Sequence, residues 1–284
     1  MQNPMRNNTT DWTKRGDRAI PRMKVPPLRE VAPNIMDDLR PLAFMLIGRP
    51  LAACVTFVLA ALQGWWLLAV PAAFLAYGST LTATHHLIHG SLGLSPKARH
   101  FWLTTLGCLV AESGHALQVT HRYHHRADLD VPDPETSIEY SSWRALPMDA
   151  LRFRYRLALW GLQHARQKNR IRFELFVHAA LHLSSLALLG VSPILWVYLS
   201  LIHFSSVVFA VLASKGPQTN YGRPVTSPLV RVHTRIGRIL LFSHDLHLEH
   251  HAYPHVPVTR LHRLVDSLDP VFEEMDTFDV RLLL

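Results

Sequence analysis

The sequence predicts an all-α integral membrane protein, with four spanning helices in two antiparallel hairpins and a cytosolic helical cap. Three observations predict it. The 284 residues carry 29 Lys and Arg, yet none of them falls within 50–96 or 173–214. Each of those stretches holds enough apolar residues for two spans of about 20, and a short uncharged connector divides it. The chain also holds 19 histidines, and nine of these fall into three tight clusters at the ends of the apolar blocks and in the loops.

The first hairpin runs from Leu42 to His89. Gln63-Gly64 separates a span at Leu42–Leu62 from one at Trp65–Thr84. Arg49 can snorkel to the headgroups, and Trp65-Trp66 suit an interfacial belt. The second hairpin splits at Gly190-Val191-Ser192 into Phe173–Leu189 and Pro193–Ala213. Both connectors lack Lys and Arg, whereas the long loops are rich in them. The positive-inside rule then puts both termini and the long loops in the cytoplasm, at an inner or plasma membrane. Residues 1–41, with prolines at 21, 26, 27 and 33, read as a loosely ordered cytosolic leader, and 42–284 as one membrane domain.

Two further segments are apolar or amphipathic without being spans. Phe101–Val110 is too short to cross and reads as a re-entrant or interfacial helix. Arg152–Arg172 interleaves basic residues with Phe153, Tyr155, Leu157, Leu159 and Trp160, as in an amphipathic helix lying on anionic headgroups or a solvated charged helix.

The net charge of +8 has two common readings, nucleic acid and the cytoplasmic face of a membrane. Exclusion of charge from long apolar blocks favours the membrane and argues against nucleic acid. The two cysteines, Cys54 and Cys108, lie in apolar runs and form no CxxC. Any metal is therefore held by nitrogen and oxygen.

The histidine clusters are His85-His86-x-x-His89, His121-x-x-His124-His125 and His247-x-x-His250-His251. His85 and His89 are four apart and share a helix face. One HxxHH is expected roughly 0.1 times by chance at this composition, so two copies call for a cause. All three clusters fall on one side of the predicted membrane and can converge there. Eight imidazoles exceed what one ion takes, and two ions with about four nitrogens each would use them. Imidazole suits zinc, copper, iron and nickel. Iron couples to O2 chemistry, so two iron ions are the economical reading.

"HHLIHGSLGLSP", "HRYHHRADLDVPDPE" and "HLEHHAYPHVP" resemble the three histidine boxes of the membrane fatty-acid desaturase superfamily, which includes lipid and carotenoid hydroxylases and ketolases. The resemblance runs from about Leu42 to the C-terminus. It implies an O2-dependent di-iron oxidoreductase, most simply a fatty-acyl desaturase, that removes hydrogen from unactivated C–H bonds of a lipid. The alternative within the superfamily is a carotenoid or other lipid hydroxylase or ketolase. Carried onto this chain, the iron ligands are His85, His89, His121, His124, His125, His247, His250 and His251.

The chain departs from the pattern where many members have Asp beside the first histidine; here that residue is His86. A ninth ligand is open among His86, His178, His182, His203 and His244. For the intramembrane histidines a neutral ring bonded to a carbonyl is the ordinary alternative. Metal-bound histidines commonly donate to a carboxylate. Glu249 and one acid of Asp128, Asp130, Asp133 and Glu135 are the expected partners. Glu112-x-x-His115 has the spacing of a soluble di-iron motif, but a single copy reads as chance.

A metal transporter is the reading from another class; boxes at the membrane exit and in loops, away from the midplane, count against it. The chain holds no cytochrome b5-like His-Pro-Gly-Gly segment and no ferredoxin-like cysteine set. Electrons are then expected from a separate ferredoxin-type donor and its reductase, docking on basic loops.

Overall fold

The computed structural model describes residues 25–125, 134–135, 141–142, 144–214, 230–232, 246–268 and 278–280. The helices are α1 (Leu28–Val31), α2 (Arg40–Leu62), α3 (Trp66–His89), α4 (Pro96–Leu109), α5 (Gly114–His124), α6 (Leu146–His164), α7 (Lys168–Ala187), α8 (Ile194–Ser214) and α9 (His247–Ala252), with a 3-10 turn at Val258–Arg263. The fold is helical, as expected, apart from one element that periodicity did not suggest. Val230–Val232 (β1) pairs in parallel with Phe278–Val280 (β2).

Among the described residues, two helices are long and apolar enough to cross a membrane, Arg40–Leu62 and Trp66–His89. They form the predicted first hairpin, and its turn contains Gly64 at φ 71°, a left-handed position that glycine takes without strain. Small residues let α2 and α3 approach closely: Ala60, Ala61, Ala69, Ala72 and Ala73 pack around Phe57. α3 is the central element and touches α2, α4, α5 and α8. α7 and α8 occupy the second predicted hairpin. α7 starts earlier than its predicted span, at Lys168, and contains the fully buried Glu174. This acid lies inside a block otherwise free of charge.

The expectation of one amphipathic helix over Arg152–Arg172 is not met. α6 ends at His164, and α7 begins at Lys168 after an extended Ala165. Nor do all its basic residues face outward: Arg154 is 7% exposed and points into the bundle. The short helix expected near Phe101 is α4, which starts at Pro96 on a Ser95 cap, the Oγ accepting from Ala98 N at 3.3 Å.

The segment from Val25 to Asp38 lies across the C-terminal part of the chain. Val25, Leu28, Val31, Ile35 and Met36 pack with Tyr253, Val256, Leu261 and Leu264. Tyr253 donates to Pro26 O at 2.5 Å, and Arg260 donates to the carbonyls of Ile35, Asp37 and Asp38. The third histidine box is thus clasped by residues more than two hundred positions earlier.

Candidate metal centre

Three separate helix ends deliver the histidines. α3 runs up to His89 and stops at Gly90, whose φ of 70° forms a left-handed C-cap. This places His85 and His89, one turn apart, on the last turn of a buried helix. α5 ends at His124, and its last turn presents His121, His124 and His125. α9 contributes His250 and His251. His86 joins the first and third of these ends. It donates Nδ1–H to Thr82 O at 2.8 Å and accepts at Nε2 from Val258 N at 3.2 Å. Both its nitrogens are therefore occupied, and no lone pair is left for a metal.

Five imidazoles converge: His85, His89, His121, His125 and His250 each offer a nitrogen, all within 4.8 Å of one another. The Nε2 of His121 lies 2.8 Å from that of His89 and 3.2 Å from that of His125. The Nε2 of His250 lies 3.2 Å from that of His89 and 3.0 Å from that of His125. A second pair stands beside them, His251 Nε2 at 3.2 Å from His124 Nε2, with the His251 ring stacked on His125 at 4.2 Å.

With one lone pair or one N–H at each Nε2, the four contacts within the five-membered group cannot all be full hydrogen bonds. A neutral imidazole has one N–H, and His121 donates its own from Nδ1 to Glu135 Oε2 at 2.7 Å. Its Nε2 is therefore a lone pair facing other ring nitrogens. Nitrogens about 2.1 Å from one ion and at right angles around it stand about 3 Å apart, which is the spacing found. Burial first, and then neighbouring imidazoles, hold His125 and His250 well below the ordinary imidazole range. They are neutral, the form that binds metal.

A family model described as fatty acid desaturase matches residues 64–280, well over half of the chain. The chain belongs to the fatty acid desaturase family. No curated protein matches it at a significant level.

In this desaturase-family chain, seven of the eight expected box histidines lie in or beside the cluster. His247 is on α9, three and four residues before His250 and His251, and its side chain lies outside the described residues. Asp128, Asp130, Asp133 and His244 also lie outside them. Of the expected carboxylate partners, Glu135 is found on His121, with Thr120 Oγ1 donating to it at 2.8 Å. Glu249 is 1% exposed on α9.

The Glu135 contact fixes which His121 nitrogen carries the proton and how the ring is turned. Glu135→Gln is expected to lower metal affinity about 10–100-fold without unfolding the chain, since supporting carboxylates commonly contribute that much. Metal titration of the stripped protein against a chromophoric chelator measures it. An unchanged affinity would remove Glu135 from the site.

The histidines of α7 and α8 go elsewhere. Arg154 donates to His203 Nδ1 at 2.9 Å, so His203 carries its proton on Nε2 and donates to His182 Nε2 at 2.8 Å. His182 in turn donates Nδ1–H to His178 O at 2.7 Å. Every nitrogen of His182 and His203 is engaged, and neither ring has a lone pair for metal. His178 lines a separate cavity of about 250 Å3 with Glu112 and Arg154.

Sequence reasoning missed a second polar centre around Glu174. This carboxylate accepts from Ser113 Oγ at 2.5 Å, Thr104 Oγ1 at 3.0 Å, His115 N at 3.3 Å and His115 Nδ1 at 2.6 Å. The one available signal was an acidic residue within a block otherwise free of charge. His115 and Glu112, the pair set aside as chance, do not join the metal cluster. Each serves a different buried network.

Proposed function

We propose that the chain is an O2-dependent di-iron oxidoreductase acting on unactivated C–H bonds of a lipid, most simply a fatty-acyl desaturase. The observation that carries this is the meeting of five imidazoles from three helix ends, each offering a nitrogen within 4.8 Å of the others. Family membership supports the reaction class. His85, His89, His121, His125 and His250 would hold one iron; His124 and His251, with His247, would serve the second. Iron bound there supplies O2 activation and hydrogen removal from carbon. The protein's own residues orient the ligands. Glu135 holds His121, His86 ties α3 to the segment after α9, and Gly90 ends α3 directly after His89.

The proposal includes four spans, with both termini and the histidines on the cytoplasmic side and residues 42–284 as one membrane domain. Large apolar side chains that face outward from all four helices support it. They include Phe44, Leu59 and Leu67 on the first hairpin and Phe176, Leu183 and Phe204 on the second. Exposed apolar area of this extent suits lipid and not water. A site at the end of such spans can receive a substrate that lies in the bilayer. Electrons come from a separate donor of ferredoxin type, and turnover is expected to fall steeply with salt if the basic loops dock it.

The deciding experiment is expression with a ferredoxin–reductase pair in cells offering both acyl and carotenoid pools. Mass spectrometry of the lipids then reads the product. A mass lower by about 2 Da means desaturation, and one higher by about 16 Da means hydroxylation, since one oxidant serves both outcomes. Iron-loaded protein that modifies neither pool would count against this substrate class.

A further inference from the structure

A cavity of about 480 Å3 opens beside α5. His115, Gln118, Val119 and Arg122 recur at three- and four-residue spacing and line it, and none of His121, His124 and His125 does. The remaining walls come from α4, the end of α6 and the α6–α7 turn. The volume falls within the about 300–1,000 Å3 typical of small-molecule sites.

The polar wall is built from the inside. Glu174, fully buried, fixes His115 through its Nδ1–H. His115 is itself 5% exposed. Arg170 donates to His115 Nε2 at 3.4 Å, so this nitrogen is an acceptor, and His100 Nδ1 donates to it at 3.0 Å. The buried dyad thereby holds the lining imidazole of His100 at the cavity and the Arg170 guanidinium beside His115. Arg166 lines the mouth from the turn. Among the described residues, no Asp or Glu lines the cavity. Arginine keeps its charge at any working pH, so the site is permanently electropositive.

The opposite wall is aromatic. His164 donates Nδ1–H to Trp160 O and lies flat on the Trp160 ring, centroids 4.0 Å apart at 22°. Tyr123 closes on the same indole at 5.0 Å.

We infer that this cavity binds a phosphate ester, with Arg166 and Arg170 on the phosphate and Trp160 with His164 against its organic part. Guanidinium forks match phosphate oxygens in geometry and charge, and the flat aromatic surface favours a ligand that is not a bare ion. Two sources share this chemistry, a soluble phosphorylated molecule and the headgroup of an anionic lipid. The site shares no residue with the histidine cluster. The inference therefore stands or falls separately from the proposed reaction.

The test uses the full chain in neutral detergent, without turnover. ADP titrated by calorimetry probes the soluble source. Phosphatidylglycerol retained in native mass spectrometry probes the lipid source. The wild type is expected to bind one of the two probes. Arg166→Gln with Arg170→Gln should weaken that binding at least tenfold, with metal content and thermal midpoint unchanged. Arg263→Gln, an exposed basic residue in the 3-10 turn, should bind as the wild type does. ADP binding assigns a soluble ester, and phosphatidylglycerol alone assigns a headgroup. Binding of neither probe overturns the inference, as does equal weakening by Arg263→Gln.

Discussion

His250→Ala is expected to lose bound metal and turnover together. His250 is the member of the cluster that α9 supplies, and its ring sits 4.4 Å from His85, 4.6 Å from His89 and 4.8 Å from His125. Removing it takes away a candidate ligand, the one member of the five-imidazole group that the C-terminal part of the chain supplies. The loss should exceed the about 10–100-fold typical of a supporting partner. Iron per chain by plasma mass spectrometry and product yield are the two readouts. His262→Ala is the control, because His262 is exposed and bonds only locally to Thr259 O. His124→Ala should behave as His250→Ala does for turnover. A His250→Ala protein with full iron and full activity would overturn the site.

The second large effect concerns stability. Arg154→Leu is expected to cost about 3–5 kcal/mol, the range for breaking a buried charged network from one side. Arg154 donates to Val110 O, to Ala111 O at 2.5 Å and to His203, and it lies 3.9 Å from Glu112. Ala111 has φ 47°, and Arg154 holds its carbonyl in that turn. Burial raises the Glu112 pKa, and Arg154 pulls it back. Without the guanidinium, two carbonyls and an acid stay buried with fewer partners. Arg156→Leu, two residues on and 45% exposed, should fall within about 0.5 kcal/mol of wild type. Thermal unfolding in detergent compares them. Equal midpoints for the two variants would show that the Arg154 contacts contribute nothing net.

Much of this was legible in the sequence, and the parts that were not share a cause. The first hairpin was readable because apolar length and a charge-free connector act locally. The histidine boxes were readable because metal ligation demands residue types at helical spacing. Gly90 after His89 is part of that pattern, since only a left-handed cap ends the helix there. What composition could not give was direction. Arg154 sits in a basic run that reads as outward-facing, and only packing against α8 and the 110–111 turn sends it inward. Glu135 was one of four acids of similar standing, and nothing local picks the one that meets His121. The partners of Glu174 lie 59–70 residues away on α4 and α5, beyond any periodic signal. β1 and β2 are three residues each, too short to show alternation.

The clasp of Val25–Asp38 on the C-terminal region has a consequence for biosynthesis. Arg260 is translated 225 residues after Ile35, whose carbonyl it binds. At about 5–20 residues per second, the early segment waits on the order of ten to forty seconds for its partner. The helices carrying His85, His89 and His121 are made well before α9. Closure of the five-imidazole group is then among the last events of synthesis. A ribosome stalled before His250 would display a partly formed site that still lacks its final ligand.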